Sequence, residues 1–208
     1  TCTDDNLVVN LSSDDICTDG VFCNYTLPRE LRYLGEDGYY YNWTVQGYDM
    51  EEWGEVSDSW NFSIMPNITI ALINDTVNFH TMDLGESNDT LDYSPYPFSI
   101  RNIGIVPVDV RLRIWNNDWL WEAPGYQQPT DNFMCRVDWL PGEEGAFDWG
   151  SSITSWAQIS DTDTIIINSL NYTSGNSTAE VEISVTVPPG EPSGKKGATL
   201  LFTAEREI

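Results

Sequence analysis

From residue 57 onward, apolar and polar side chains alternate in short runs. Val108-Asp109-Val110-Arg111-Leu112-Arg113-Ile114 alternates without a break, and Val181-Glu182-Ile183-Ser184-Val185-Thr186-Val187 does the same. Ala198, Leu200, Phe202 and Ala204 fall on one face of another run, as do Trp60/Phe62/Ile64, Ile68/Ile70/Leu72, Val77/Phe79 and Phe98/Ile100. Ile165-Ile166-Ile167 is apolar throughout. A period of two places alternate side chains on opposite faces of a strand. Asn, Asp, Gly and Pro punctuate the runs, so the pattern predicts an all-β fold, an antiparallel β-sandwich of short strands. No window has the period of an amphipathic helix. Helix is expected only as one or two turns between residues 115 and 155.

Two stretches break the rhythm. Residues 1–20 form a candidate N-terminal arm, in which Asp4-Asp5 and Asp14-Asp15 bracket one strand-like run, Leu7-Val8-Val9-Asn10-Leu11. The sandwich domain would then span residues 21–208. Within it, residues from about 115 to 157 are expected to be a long irregular insertion. Turn signals such as Pro124-Gly125 and Pro141-Gly142 interrupt that stretch, which carries Trp115, Trp119, Trp121, Trp139, Trp149 and Trp156.

Nine N-x-S/T sequons change the picture from fold to location. They begin at Asn10, Asn24, Asn42, Asn61, Asn67, Asn74, Asn88, Asn171 and Asn176, and none has proline in the middle. Each is an acceptor for an N-glycan in a chain that passes a secretory system. Asn10, Asn42, Asn61 and Asn67 are expected on the wet side of strands whose other side is buried. The formal charge of -24 agrees with an exposed, hydrated surface, and it disfavours nucleic acid and anionic lipid as partners. With 40% apolar residues, nine Trp and ten Tyr, the chain has the means to build a core. No apolar stretch has the length of a membrane span. Together with the sequons, this predicts an extracellular or cell-surface protein whose Thr1 follows signal-peptide removal.

The chemistry-bearing residues are few. Four cysteines (Cys2, Cys17, Cys23 and Cys135) allow three pairings, and an even count in a secreted chain predicts disulfides. Structural zinc is disfavoured, because no C-x-x-C is present and His80 is the single histidine. That same histidine would have to anchor any Ser-His-Asp or Cys-His site, so no catalytic residue is assigned and an enzyme is not expected. No cofactor is expected beyond covalent N-glycans. Calcium is possible where hard oxygen ligands cluster, as at Asp161 and Asp163, at Asp14-Asp15 with Asp19, or at Glu143-Glu144, but none fits the Asp-x-Asp-x-Asp-Gly loop.

Two phrases carry a resemblance. Phe98-Ser99-Ile100-Arg101-Asn102-Ile103-Gly104-Ile105-Val106-Pro107-Val108 looks like the strand, Asn-x-Gly, strand signature of immunoglobulin-like cell-surface sandwiches. Val187-Pro188-Pro189-Gly190-Glu191-Pro192-Ser193-Gly194 followed by Ala198–Ala204 is similar to their closing hairpin. Across roughly residues 64–204 the layout resembles secreted archaeal surface proteins and is similar to camelysin/TasA-like and archaeal bundling-pilus subunits. That resemblance implies an Ig-like or jelly-roll-type sandwich that forms a homopolymer, in which an N-terminal strand completes the sheet of the next copy.

Here the donor would be Leu7, Val9 and Leu11. Their burial offers about 1.5–3 kcal/mol each, against about 1–2 kcal/mol per residue to order the arm. A short arm alone therefore roughly breaks even, and a stable polymer needs a second contact between copies. The rival reading is a carbohydrate-binding or adhesive module that presents Trp115, Trp119 and Trp121 to cell-surface or matrix glycans.

Overall fold

A computed structural model describes residues 41–44, 46–48 and 51–206. The expectations placed on the arm, on Leu7, Val9 and Leu11, on Asn10 and Asn24, and on Cys2, Cys17 and Cys23 lie outside the described residues.

The described chain is nearly all β and antiparallel, as the alternation predicts. Two sheets form the sandwich. The larger has the order β10-β9-β12-β7-β5, built from Ala157–Gln158 (β10), Phe133–Trp139 (β9), Thr178–Thr186 (β12), Phe98–Asn102 (β7) and Ile70–Asn74 (β5). Ser87–Asp89 (β6) pairs with the far end of β12, beyond β7. The smaller sheet has the order β11-β8-β13, from Thr164–Leu170 (β11), Val108–Ile114 (β8) and Leu200–Arg206 (β13). Two short ribbons precede them: Tyr41–Trp43 (β1) with Trp60–Phe62 (β4), and Gln46–Tyr48 (β2) with Trp53–Val56 (β3).

Alternation explains the core. Val108, Val110, Leu112 and Ile114 of β8 face inward and meet Ile100, Val137, Val181 and Ile183 of the opposite sheet, all essentially solvent-free. Burying side chains of this size contributes about 1.5–3 kcal/mol each. Phe98 and Phe202 touch across the sheets with ring centroids 5.5 Å apart. This places β13 over β7, while β11 touches β9.

Asn102 joins the layers at the end of β7. Its Nδ2 donates to the carbonyls of Val106 (2.8 Å) and Leu170 (2.9 Å), and its Oδ1 accepts the N–H of Gly104 (2.9 Å). The turn it organises leaves no room for a side chain at Gly104, where a Cβ would lie 2.2 Å from the Asn67 carbonyl oxygen.

Several expectations are corrected. The stretch from 115 to 157 is not wholly irregular, because β9 runs through it as the longest-paired neighbour of β12. Phe133, Cys135 and Val137 alternate inward with Met134, Arg136 and Asp138 outward, a period-two signal between turn-rich flanks. Its helical content is the single 3-10 turn Trp115–Asn117. Val77 and Phe79 pack against the core from outside any strand. In the β1–β4 ribbon, Trp60 and Phe62 are 46% and 41% exposed, so the side opposite Asn61 is not buried. Tyr41 stacks on Phe62 there, with centroids 5.6 Å apart.

Cys135 is a free thiol, 2% exposed in the sandwich core, so the disulfide expectation does not hold at this cysteine. Desolvation pushes its thiol up to about 12. Cys135 is therefore expected to resist iodoacetamide at pH 8 in the folded protein and to label fully in denaturant. Peptide mass spectrometry of the two samples checks this, and labelling without denaturant would contradict the burial.

Candidate assembly edge

A strand at the margin of a sheet offers unpaired backbone N–H and C=O groups to another chain. The sandwich has two long margins on the side where β13 overlies β7, namely β5 and β13, and they differ in character. Strand β5 is irregular, with a register shift between Leu72 and Asn74. Such bulges disrupt further pairing. Strand β13 pairs with β8 residue for residue, from Leu200 opposite Ile114 to Arg206 opposite Val108, with no shift. Among the described residues no strand pairs with its other side.

The inner face beside that edge is incompletely covered. Residues directly opposite in a ladder share a face, so Leu200, Phe202 and Ala204 point inward with Ile114, Leu112 and Val110. They are only half-buried, whereas their β8 partners are fully buried. On the other sheet, Leu72 lies opposite the solvent-free Ile100 and so faces the same interior, yet it is 41% exposed. Three strands face a six-stranded sheet that is five strands wide, and β5 projects past β13 with nothing described above it. One added strand beside β13 would cover this step.

The outer face of β13 is polar at its end. Glu205 pairs with Arg111 of β8, and the ion pair raises the Arg111 guanidinium further above its ordinary value.

The tryptophans do not form the exposed trio that the rival reading requires. Trp121 is buried, with Nε1 donating to the Asn132 carbonyl at 3.1 Å, and Trp119 packs half-buried against the core. Trp115 remains exposed, beneath the Arg113 guanidinium at 5.0 Å.

The acidic candidates are engaged within the protein. Asp163 pairs with Arg113 at 3.1 Å, and Asp161 accepts from Ser160 Oγ. Glu143 accepts the backbone N–H groups of Ser177 and Thr178, each at 2.7 Å, at the entry to β12. No group of three metal-ligating side chains occurs among the described residues. His80 is exposed in the segment after β5, its backbone N–H bonded to Asn78 Oδ1.

Sequence reasoning missed two buried acidic side chains, Glu180 and Glu182, on the outer face of β12. The segment after β6 crosses over them. Thr90 Oγ1 donates to Glu182 and accepts the Ile183 N–H (2.9 Å), and the Tyr93 hydroxyl donates to Glu180 (3.0 Å). Another buried carboxylate, Glu191, accepts the N–H groups of Glu122 and Ala123 and binds Lys196 Nζ at 2.9 Å. Lys196 also reaches Glu122 at 2.8 Å, and its side chain is only 15% exposed. No local signal distinguishes Glu180 and Glu182 from solvent-facing glutamates, because their partners Tyr93 and Thr90 are distant in sequence.

Among the described residues no helix is long and apolar enough to cross a membrane. Comparison with protein-family models, with curated proteins and with solved structures found no match.

Proposed function

We propose that this protein is the repeating structural subunit of an extracellular, N-glycosylated filament or surface coat. Copies assemble when Leu7-Val8-Val9-Asn10-Leu11 of one adds along Leu200–Ala204 of β13 in the next, on the side with which no described strand pairs. The observation that supports this most is the step beside a regular edge, half-buried Leu200, Phe202 and Ala204 next to the inward-facing, exposed Leu72, above which no described strand lies. A donor strand would turn Leu7, Val9 and Leu11 onto that step and leave Val8 and Asn10 outside. Exposed Ile73 and Ile103, 58% and 52% accessible, lie near the same margin and supply apolar area for the second contact that a short arm needs. The role is architectural, with no bond made or broken.

Val9→Asp places a charge under the proposed donor strand, and Leu72→Asp places one on the receiving step. Both are expected to abolish polymers seen by electron microscopy and to leave a monomer with unchanged far-ultraviolet circular dichroism. Leu72 is already partly in water, so its replacement should cost the lone sandwich only about 1 kcal/mol. Polymers that survive both substitutions, or a wild-type chain that elutes as a monomer under all conditions, would remove the building-block role.

A further inference from the structure

The sequons differ in what their carboxamides are doing: Asn176 Nδ2 donates to the Gly145 carbonyl (3.2 Å), and Asn74 Nδ2 is engaged twice over. Glycan attachment replaces one of the two hydrogens on Asn Nδ2. At Asn74 the nitrogen has two acceptors, since Nδ2 donates to the carbonyls of Pro97 (2.5 Å) and Tyr96 (3.3 Å). The register shift in β5 sets Asn74 opposite Ser99, next to the point where the chain enters β7. The side chain thereby ties the margin of the large sheet to the segment that crosses its outer face.

Asn42 and Asn61 present the opposite situation. They face each other directly across the β1–β4 ribbon, both exposed. Opposed residues project from one face with Cβ atoms about 5 Å apart, so two glycans would stand side by side and away from the aromatic face of Tyr41 and Phe62. Asn67 is exposed as well, and only its Oδ1 is engaged, accepting from Thr69 Oγ1 at 2.8 Å.

We propose that Asn74 is a hydrogen-bonding pin and not a sugar acceptor, and that Asn42 and Asn61 form a paired N-glycan site on one face of the ribbon. The sugar half of this rests on the extracellular glycoprotein reading; the pin half does not. A sugar on Asn74 would disturb its bonds to the Tyr96 and Pro97 carbonyls, the latter part-buried, so folding and modification compete for the same nitrogen. At Asn42 and Asn61 they do not compete.

Glycopeptide mass spectrometry of the secreted full chain, joined to thermal unfolding of two variants, tests both halves. Thr76→Ala destroys the Asn74 sequon but keeps its carboxamide, and among the described residues Thr76 Oγ1 bonds to the neighbouring exposed Asp75. Asn74→Ala removes both. The expected result is sugar on the Asn42 and Asn61 peptides and several-fold lower occupancy at Asn74. Thr76→Ala should leave the unfolding midpoint and the glycan mass unchanged, while Asn74→Ala lowers the midpoint. Equal occupancy at Asn74 and Asn61, or equal losses of stability in the two variants, would overturn the pin. A chain bare at every sequon would overturn the glycoprotein reading and the paired site, and the contrast between the variants would still decide the pin.

Discussion

Asn102→Ala is expected to lower the unfolding free energy by about 3–5 kcal/mol. The substitution strands three backbone groups: the carbonyls of Val106 and Leu170 and the N–H of Gly104. Each unsatisfied buried group costs about 1–3 kcal/mol. Asn102 is 2% exposed, which limits the water that can enter to replace it. A domain of this size is stabilised by about 5–15 kcal/mol in total, so the variant would be close to its folding threshold. Urea titration should show a lower midpoint with an unchanged slope, because the surface exposed on unfolding is the same. Asn102→Asp should be no better, since it keeps the acceptor for Gly104 but loses both donors and adds a buried charge. A midpoint within experimental error of the wild type for both variants would show that the junction does not hold the two sheets together.

The second large effect is a stability that rises as the solution is acidified from neutral pH. Burial lifts Glu182 from an ordinary value of 4.5 to about 7, and Glu180 is raised for the same reason. The surroundings match: Glu180 and Glu182 lie on one strand, Asp138 and Arg136 opposite them on β9, Asp89 on β6, and Thr90 and Tyr93 across the top. One cation among so many carboxylates is not enough to favour the charged form. For a carboxyl whose folded value is raised, the folded state binds the proton more tightly. The penalty is absent below the unfolded value and complete above the folded one. Stability should therefore increase as pH falls from about 7.5 to about 5, by roughly 2–3 kcal/mol from Glu182. Further acidification should reverse the trend, because Glu191 and Asp148 are held below their usual range, Glu191 by Lys196 and backbone N–H groups, Asp148 by Ser151 and Gly150. Chemical denaturation at a series of pH values measures this. Glu182→Gln should flatten the upper limb by removing the titrating group; an unaltered pH profile would show that the raised carboxyl lies elsewhere.

What the sequence made legible was set by how local each signal is. The run Val108–Ile114 forms a strand with those bounds, and the alternations beginning at Phe98, Val181 and Ala198 each mark a strand of the sandwich. β9 was harder to see. Its inward residues Phe133, Cys135 and Val137 follow the same rule, but turn residues and tryptophans on both sides drew the reading toward a loop. Glu180 and Glu182 looked like the wet half of an alternating strand and are dry, because a segment some 90 residues earlier lies over them. Trp121 looked available to a ligand and is instead core, its indole committed to Asn132. The margin of β13, with which no other described strand pairs, had no sequence signature at all, since an edge is defined by neighbours distant in sequence. Only its proposed complement, the alternating run at Leu7–Leu11, could be read directly.

Lysine occurs only at positions 195 and 196. Lys196 is clamped between two carboxylates, Glu122 and the buried Glu191, which raise its ammonium above the ordinary value and keep it from acting as a nucleophile. Its neighbour Lys195 is open to solvent on the connection between β12 and β13. A fluorophore or tether carried by an amine-reactive ester thus has one lysine to find, on the loop that leads directly into the proposed docking strand, where it can report the arrival of another copy.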